Sequence, residues 1–373
     1  MKIDDKTSHN SPSLRFPEFT GEWERCVLGD VLEFSNTRIN SSELNSGNYV
    51  STENILQNFQ GIVKARSIPE DTNVMAFSCG NILLSNIRPY LKKVWKATFN
   101  GGCSSDVFVL QANSNIDADY LHYVVANDKF IGFVMNGAKG VKMPRGDKNQ
   151  MKTYSLSLPS IKEQRKISRF LSFLDERIAV QNRLIEKYES LIKALRHHLF
   201  STLESVKEVP VADLLSYEQP TKYIVSDTEY SNNTDLTPVL TANKAFILGY
   251  TDEVEGIYDK GPCIILDDFT LDFKIVEFPF KVKSSAIKIL SAKTTVSLRY
   301  IFEYLKFLDL NTEEHKRHYI AEIEPMSIEL PEEDTIKSIA FLFDLMDKRR
   351  KGLERDQQLL KSQKDYLLRE IFI

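Results

Sequence analysis

The chain is poor in the groups that carry out chemistry. Its 373 residues hold four cysteines, Cys26, Cys79, Cys103 and Cys263, with no CxxC spacing. Thiols scattered in this way fit a reducing cytoplasm and exclude a disulfide framework or a zinc site. No run of 18 apolar residues occurs, and residues 1–17 are polar and charged. Neither a membrane span nor a signal peptide is therefore expected. A phosphate-cradling loop needs Gly-x4-Gly-Lys followed by Ser or Thr. Gly132-Phe-Val-Met-Asn-Gly137-Ala138-Lys139 misses it by one residue and by the hydroxyl. No strand-GxGxxG-helix fingerprint and no Asn-Pro-Pro-aromatic run is found. One Glu-x-Lys, Glu314-His315-Lys316, lacks a convincing upstream partner carboxylate, and chance gives such a triplet easily. His197 and His198 are adjacent, so on a helix they point about 100° apart and make poor joint ligands. No catalytic residue and no metal ligand is assigned. A net charge of −4 and a pI near 6.0 announce no global basic field.

What the chain has instead is a helical segment present twice. The first copy opens Ser155-Leu-Ser-Leu158-Pro159 and runs to Phe200; the second opens Ser327-Ile-Glu-Leu330-Pro331 and runs to Phe372. At one ungapped offset of 172 residues the pairs Leu158/Leu330, Pro159/Pro331, Ile167/Ile339, Asp175/Asp347, Arg177/Arg349, Arg183/Arg355, Ser190/Ser362, Leu195/Leu367 and Phe200/Phe372 are identical. An internal repeat sets the architecture: globule, long helix, globule, long helix.

Leu-Pro suits the entry to a helix, because proline disfavours the helical region for the residue before it and fits the first turn. After it, residues 162–200 contain no Gly and no Pro. Apolar residues then fall at alternating steps of four and three, the spacing of a heptad seam. In the first copy the row Leu171, Ile178, Ile185, Ile192, Leu199 is apolar throughout. In the second it is the other row, Ile339, Met346, Leu353, Leu360, Leu367, while Arg350, Gln357 and Lys364 interrupt the remaining one. The two helices are expected to pair with each other, antiparallel. The alternative is two separate amphipathic helices, each lying on its own globule.

The globules also echo one another. Asn81-Ile-Leu-Leu-Ser85 and Cys263-Ile-Ile-Leu266 have strand character. At an offset of 180, Ser104-Ser105 and Ser284-Ser285 each precede an alternating strand, and Tyr120 and Tyr300 each lead a helix. Short strands mixed with helices give an α+β class. The expected organisation is a tail (1–20, with 2–13 disordered), globule one (21–157), a central helix (158–203), globule two (204–329) and a C-terminal helix (330–373). The two globules would be similar, related by a pseudo-twofold and mounted on the helices.

Local basic patches matter more than net charge for nucleic acid. In globule one, Arg88-Pro-Tyr90-Leu-Lys92-Lys93-Val-Trp95-Lys96 holds four cations and no acid, and Lys139, Lys142 and Arg145 sit on a loop punctuated by Gly and Pro. In globule two the counterparts are Lys222, Lys244, Lys316, Arg317, His318 and Tyr319. Lys and Arg on loops hold phosphates, and Arg can be bidentate to guanine.

Several segments now carry a family likeness. Leu14-Arg-Phe-Pro-Glu-Phe-Thr-Gly21-Glu-Trp23-Glu with Leu28-Gly29-Asp30 resembles the start of specificity subunits of type I restriction-modification systems. Leu158-Pro159-Ser-Ile-Lys-Glu163-Gln164-Arg-Lys-Ile167 resembles the central conserved region of that family, and Arg317-His318-Tyr319-Ile320 a segment near the end of its second recognition domain. The resemblance implies two target recognition domains, each reading half of a split double-stranded DNA sequence. Antiparallel helices would hold them apart and dock two methyltransferase (modification) subunits, with restriction (motor-nuclease) subunits joining. S-adenosylmethionine, ATP and Mg²⁺ would belong to those partners, and this chain would itself be non-catalytic. Where the first copy has Glu163-Gln164 the second has Thr335-Ile336, which implies different or weaker docking at the second helix. Two other readings stay open: a coiled-coil scaffold whose globules bind proteins, and a nuclease using Glu314 and Lys316.

Overall fold

The computed structural model describes residues 12, 14–242, 245–310, 312 and 316–372. Apart from Pro12, the expected disordered tail at 2–13 lies outside the described residues. The chain divides into two compact units, Met1–Gln181 with Asp356–Ile373, and Asn182–Arg355. Each holds one α+β globule and half of each long helix.

The long helices span Ile161–Ser201 and Glu333–Ile371, 41 and 39 residues. At 1.5 Å per residue each is roughly 60 Å long. In the first unit Leu171 and Leu174 share a core with Leu368, Ile371 and Phe372, and Lys364 Nζ donates to Asp175 Oδ1 at 2.5 Å. In the second, Ile192, Leu195 and Leu199 pack with Ile336, Ile339, Phe343 and Met346, and the rings of Phe200 and Phe343 stack with centroids 6.3 Å apart. The beginning of each helix thus lies beside the end of the other, which is antiparallel pairing. Of the residues assigned to pairing, Leu171, Ile185, Ile339, Met346 and Leu353 are buried; Ile178, Ile192, Leu199, Leu360 and Leu367 are half-buried. The polar interruptions are neutralised: Arg350 bonds Asp347 at 2.7 Å and Glu354 at 2.6 Å, and Lys364 has Asp175.

Globule one contains a four-stranded sheet in the order Leu32–Phe34, Val107–Ala112, Ile82–Ser85, Val94–Lys96, all antiparallel. A second sheet orders Arg38–Asn40, Asn73–Phe77, Gly101–Cys103, Tyr49–Val50. Globule two repeats the first sheet with Leu215–Glu218, Ile287–Ala292, Cys263–Asp267, Phe273–Val276, and has a three-stranded second sheet. Each globule is closed by a two-stranded clasp just ahead of its long helix: Glu24 pairs with Leu158 and Lys207 with Leu330.

The strands expected to alternate between core and solvent do not do so. Residues 107–110 are all buried. Phe108 and Leu110 join the core under the helices, whereas Val107 and Val109 face a second core with Phe77, Leu83 and Trp95. Side chains alternate across a strand, but here both faces are covered.

Candidate nucleic-acid interface

The two basic segments of globule one, far apart in sequence, form one surface. Residues 139–145 make a short hairpin: Lys139 N donates to Arg145 O at 3.0 Å and Arg145 N to Lys139 O at 2.9 Å. Its turn passes through Gly140 at φ +96°, a region open to glycine and costly for other residues. The hairpin is fastened to the Arg88 loop by Arg88 N donating to Pro144 O at 2.8 Å and Gly146 N to Asn86 O at 3.1 Å. In that loop Arg88 and Lys92 both sit in the left-handed region, at φ 50° and 54°, on either side of the turn Pro89–Leu91. Such backbone costs roughly 1 kcal/mol or more per residue and persists only where its surroundings hold it. Here the holding groups are the bond to Pro144 and the donation from Phe59 N to Lys92 O at 3.0 Å. Tyr90 projects from the turn, 48% exposed.

The cations differ in availability. Among the described residues, Arg88 and Lys142 are exposed and have no ion-pair partner. Arg145 Nη1 reaches Asp106 at 2.8 Å, Lys139 reaches Asp147 at 3.1 Å and Lys92 reaches Asp128 at 2.7 Å. Lys96 pairs with Asp119. Lys93 donates to Thr52 O at 2.5 Å, and burial pulls its pKa below the ordinary lysine value.

In globule two the expected contacts are mostly engaged or hidden. Lys222 and Lys260 each meet Glu218 at 2.8 Å. Lys316 meets Glu322 at 3.0 Å. Arg317 is exposed, its guanidinium 6.0 Å from the Phe269 ring centre. Lys244, Glu314 and His315 lie outside the described residues. His318 and Tyr319 are corrected: both are buried and cannot meet a duplex from where they stand. Their backbone N–H groups donate to Asp268 Oδ1 at 3.0 and 2.8 Å. His318 Nδ1 lies 2.8 Å from Glu322, and the Tyr319 ring packs on Tyr217. This pair anchors the π-helical turn Tyr319–Ile323 to the sheet. The same network holds a residue the sequence argument passed over, Lys288, fully buried in mid-strand. Its Nζ donates to Tyr217 Oη at 2.9 Å and sits 3.4 Å from Asp268. A lysine between Ile287 and Ile289 was the available signal.

Glu163 and Gln164, which the sequence suggested as docking contacts, face inward. Arg15 Nε and Nη2 donate to the Glu163 carboxylate at 2.7 and 2.8 Å, with Trp23 Nε1 at 3.3 Å. Gln164 Oε1 accepts from Asp117 N at 2.8 Å, and its Nε2 donates to Pro159 O at 2.9 Å. These bonds tie globule one and residues 14–20 to the helix. In the second copy Ile336 does this by apolar burial. The Glu163-Gln164 departure therefore concerns how a globule is fixed to its helix.

Residues 20–190 match the family described as the type I restriction modification DNA specificity domain. The match takes in somewhat less than half of the chain. The chain is 43% identical over 132 residues to the type I restriction enzyme EcoR124I/EcoR124II specificity subunit of Escherichia coli, covering 34% of this chain and 32% of that protein. It is 33% identical over 93 residues to the EcoDI specificity subunit of Escherichia coli, covering 25% of this chain and 20% of that protein. The matched stretch thus spans a third or less of these curated relatives. The type I restriction-modification S subunit from M. genitalium shares the fold, with a TM-score of 0.64 and 15% identity over 97% of this chain and 99% of that one. A chain from a type I restriction-modification assembly aligns with a TM-score of 0.54 and 16% identity over 94% and 97%. Among the described residues no group of three or more His, Cys, Asp or Glu could hold a metal, and no helix is long and apolar enough to cross a membrane.

Proposed function

We propose that this chain belongs to the specificity family and is the DNA-reading subunit of a type I restriction-modification complex. The observation that carries the reading is the single surface made by the two basic loops of globule one, with Arg88 and Lys142 uncommitted and Tyr90 exposed. Residues 21–157 read one half-site of a split duplex target and residues 204–329 the other; 158–203 and 330–373 form the frame. Arg88, Tyr90, Lys142 and Arg317 are the contacts that geometry favours, with Arg145 once it leaves Asp106. Lys92, Lys93, Lys96, Lys139, Lys222 and Lys316 are held by partners within the chain and contribute less. Two modification subunits dock on the helices and restriction subunits join the assembly. The chain itself catalyses nothing: S-adenosylmethionine, ATP and Mg²⁺ act in the partners, in a cytoplasm. The family match over the first globule and first helix, and the fold shared with S subunits, support this assignment.

The test is to exchange residues 21–157 for the equivalent globule of a relative and sequence the methylated motif in cells. One half-site should change and the other persist. A change spread over both would end the two-reader proposal.

A further inference from the structure

Resting on that reading, we infer that residues 139–145 are a base-touching finger. Val141 and Met143 at its tip make apolar contact with base edges of one half-site, while Lys142 neutralises a backbone phosphate. Val141 is 103% exposed and Met143 46%. A lone exposed apolar side chain is ordinary, but these two stand in a loop whose ends, Lys139 and Arg145, are bonded to each other, and which Pro144 and Gly146 fasten to the Arg88 loop. Pro144 beneath them is buried, so the tip is held outward instead of folding onto the globule. Lys139, Lys142 and Arg145 surround it.

The second globule supplies an internal contrast. Val254 is also strongly exposed, at 85%, but its neighbours are Asp252, Glu253 and Glu255. The Glu253 carboxylate is fixed in place by Lys281 at 2.7 Å and by the N–H groups of Ser226 and Asp227. An apolar tip among anions repels phosphate; one among cations suits a polyanion that also presents apolar surface. Duplex DNA is such a partner, with phosphates flanking the grooves and thymine methyls or opened base steps within them.

The experiment uses the full chain assembled with its modification subunits. In the double variant V141S/M143S, one or two adjacent base pairs of a single half-site should relax in the methylated motif. Affinity for the cognate duplex should fall about tenfold, as for loss of one base contact, at an unchanged salt slope. K142Q should lower the slope of log K against log salt by about 1 and leave the motif alone. Both positions are exposed, so an unchanged thermal midpoint verifies folding. Uracil in place of thymine in the half-site should reproduce the loss if methyls are touched. If a step is opened, 2-aminopurine beside it should brighten with the native chain and not with the double variant; either result supports the finger. Native motif and affinity in V141S/M143S, while R88A or R145A still alters that half-site, would overturn the finger alone. No effect from any of these variants would overturn DNA reading by this globule as well.

Discussion

The two globules share a strand order and differ in where they spend their charges. Residues 21–157 carry 14 Lys and Arg against 13 Asp and Glu, whereas residues 204–329 carry 13 against 22. Matched positions show how the difference is used. In globule one Phe34 and Phe108 meet edge to face, with Lys148 Nζ 5.5 and 5.1 Å from the two ring centres. In globule two the corresponding strand positions hold Tyr217 and Lys288, joined to Asp268 in a buried polar network. The first globule keeps its centre apolar and leaves cations on its loops. The second buries Lys288 in that network, whereas among the described residues only the first keeps cations such as Arg88 and Lys142 exposed on one basic surface. One fold can therefore carry unlike surfaces, because the strands that define it are covered on both faces while the loops are not.

The largest expected effect concerns how each globule is fixed to its helix. Glu163→Ala leaves the half-buried Arg15 and the buried Trp23 N–H without their acceptor, at a cost of about 3 kcal/mol. Thr335→Ala, the exposed counterpart, should stay within about 0.5 kcal/mol, whereas Ile336→Ala should cost about 2 kcal/mol. Both tryptophans of the chain, Trp23 and Trp95, lie in globule one, so denaturation followed by tryptophan fluorescence isolates the first effect. Hydrogen exchange of residues 333–355 reports the second. Equal losses at 163 and 335 would remove the distinction between a polar and an apolar attachment.

Next comes base reading. Arg145→Ala should cost about 2 kcal/mol of affinity and relax one position of one half-site. Arg317→Ala should relax the other half-site, with a loss nearer about 1 kcal/mol. Methylated-motif sequencing with duplex titrations checks both, and effects on the same half-site would break the contrast. A smaller effect separates free from engaged lysines. Lys142→Gln should reduce the salt slope by about 1, while Lys222→Gln, already committed to Glu218, should leave it unchanged. Equal slopes would mean the ion pair opens on binding.

The smallest effect is on acid stability. Burial opposes ionisation of Glu218, but hydrogen bonds from Lys222, Lys260 and Tyr223 outweigh it and hold the carboxyl down from 4.5 to about 2. A carboxyl whose pKa falls on folding contributes its full stability above the unfolded value. That stability disappears as pH drops from 4.5 towards 2. Urea midpoints of globule two should fall across this window, and Glu218→Gln should flatten the dependence. An unaltered slope in the variant would remove Glu218 as its source.

Much of the plan was legible in the sequence because it rests on short-range rules. Leu158-Pro159 and Leu330-Pro331 marked the helix entries, the heptad steps marked Leu171, Ile339 and Met346 as inward, and the repeat ordered the pieces. The basic segments around Arg88 and Arg145 were visible as composition. What the sequence could not show was which polar residues turn inward, since burial of a polar side chain depends on partners remote in the chain. Glu163 finds Arg15, 148 residues away, and His318 finds Asp268, 50 away. A run such as Lys316-Arg317-His318-Tyr319 looks uniformly like surface, yet folding leaves Arg317 outside and buries the two residues after it. The sequence by itself determined two helices, two globules and the absence of enzyme motifs, because periodicity and repeats are local or self-referential. Only the tertiary structure decided that the Arg88 and Arg145 loops are one surface and that Glu163 and Gln164 are fastenings. Both follow from hydrogen bonds between segments that no local pattern connects.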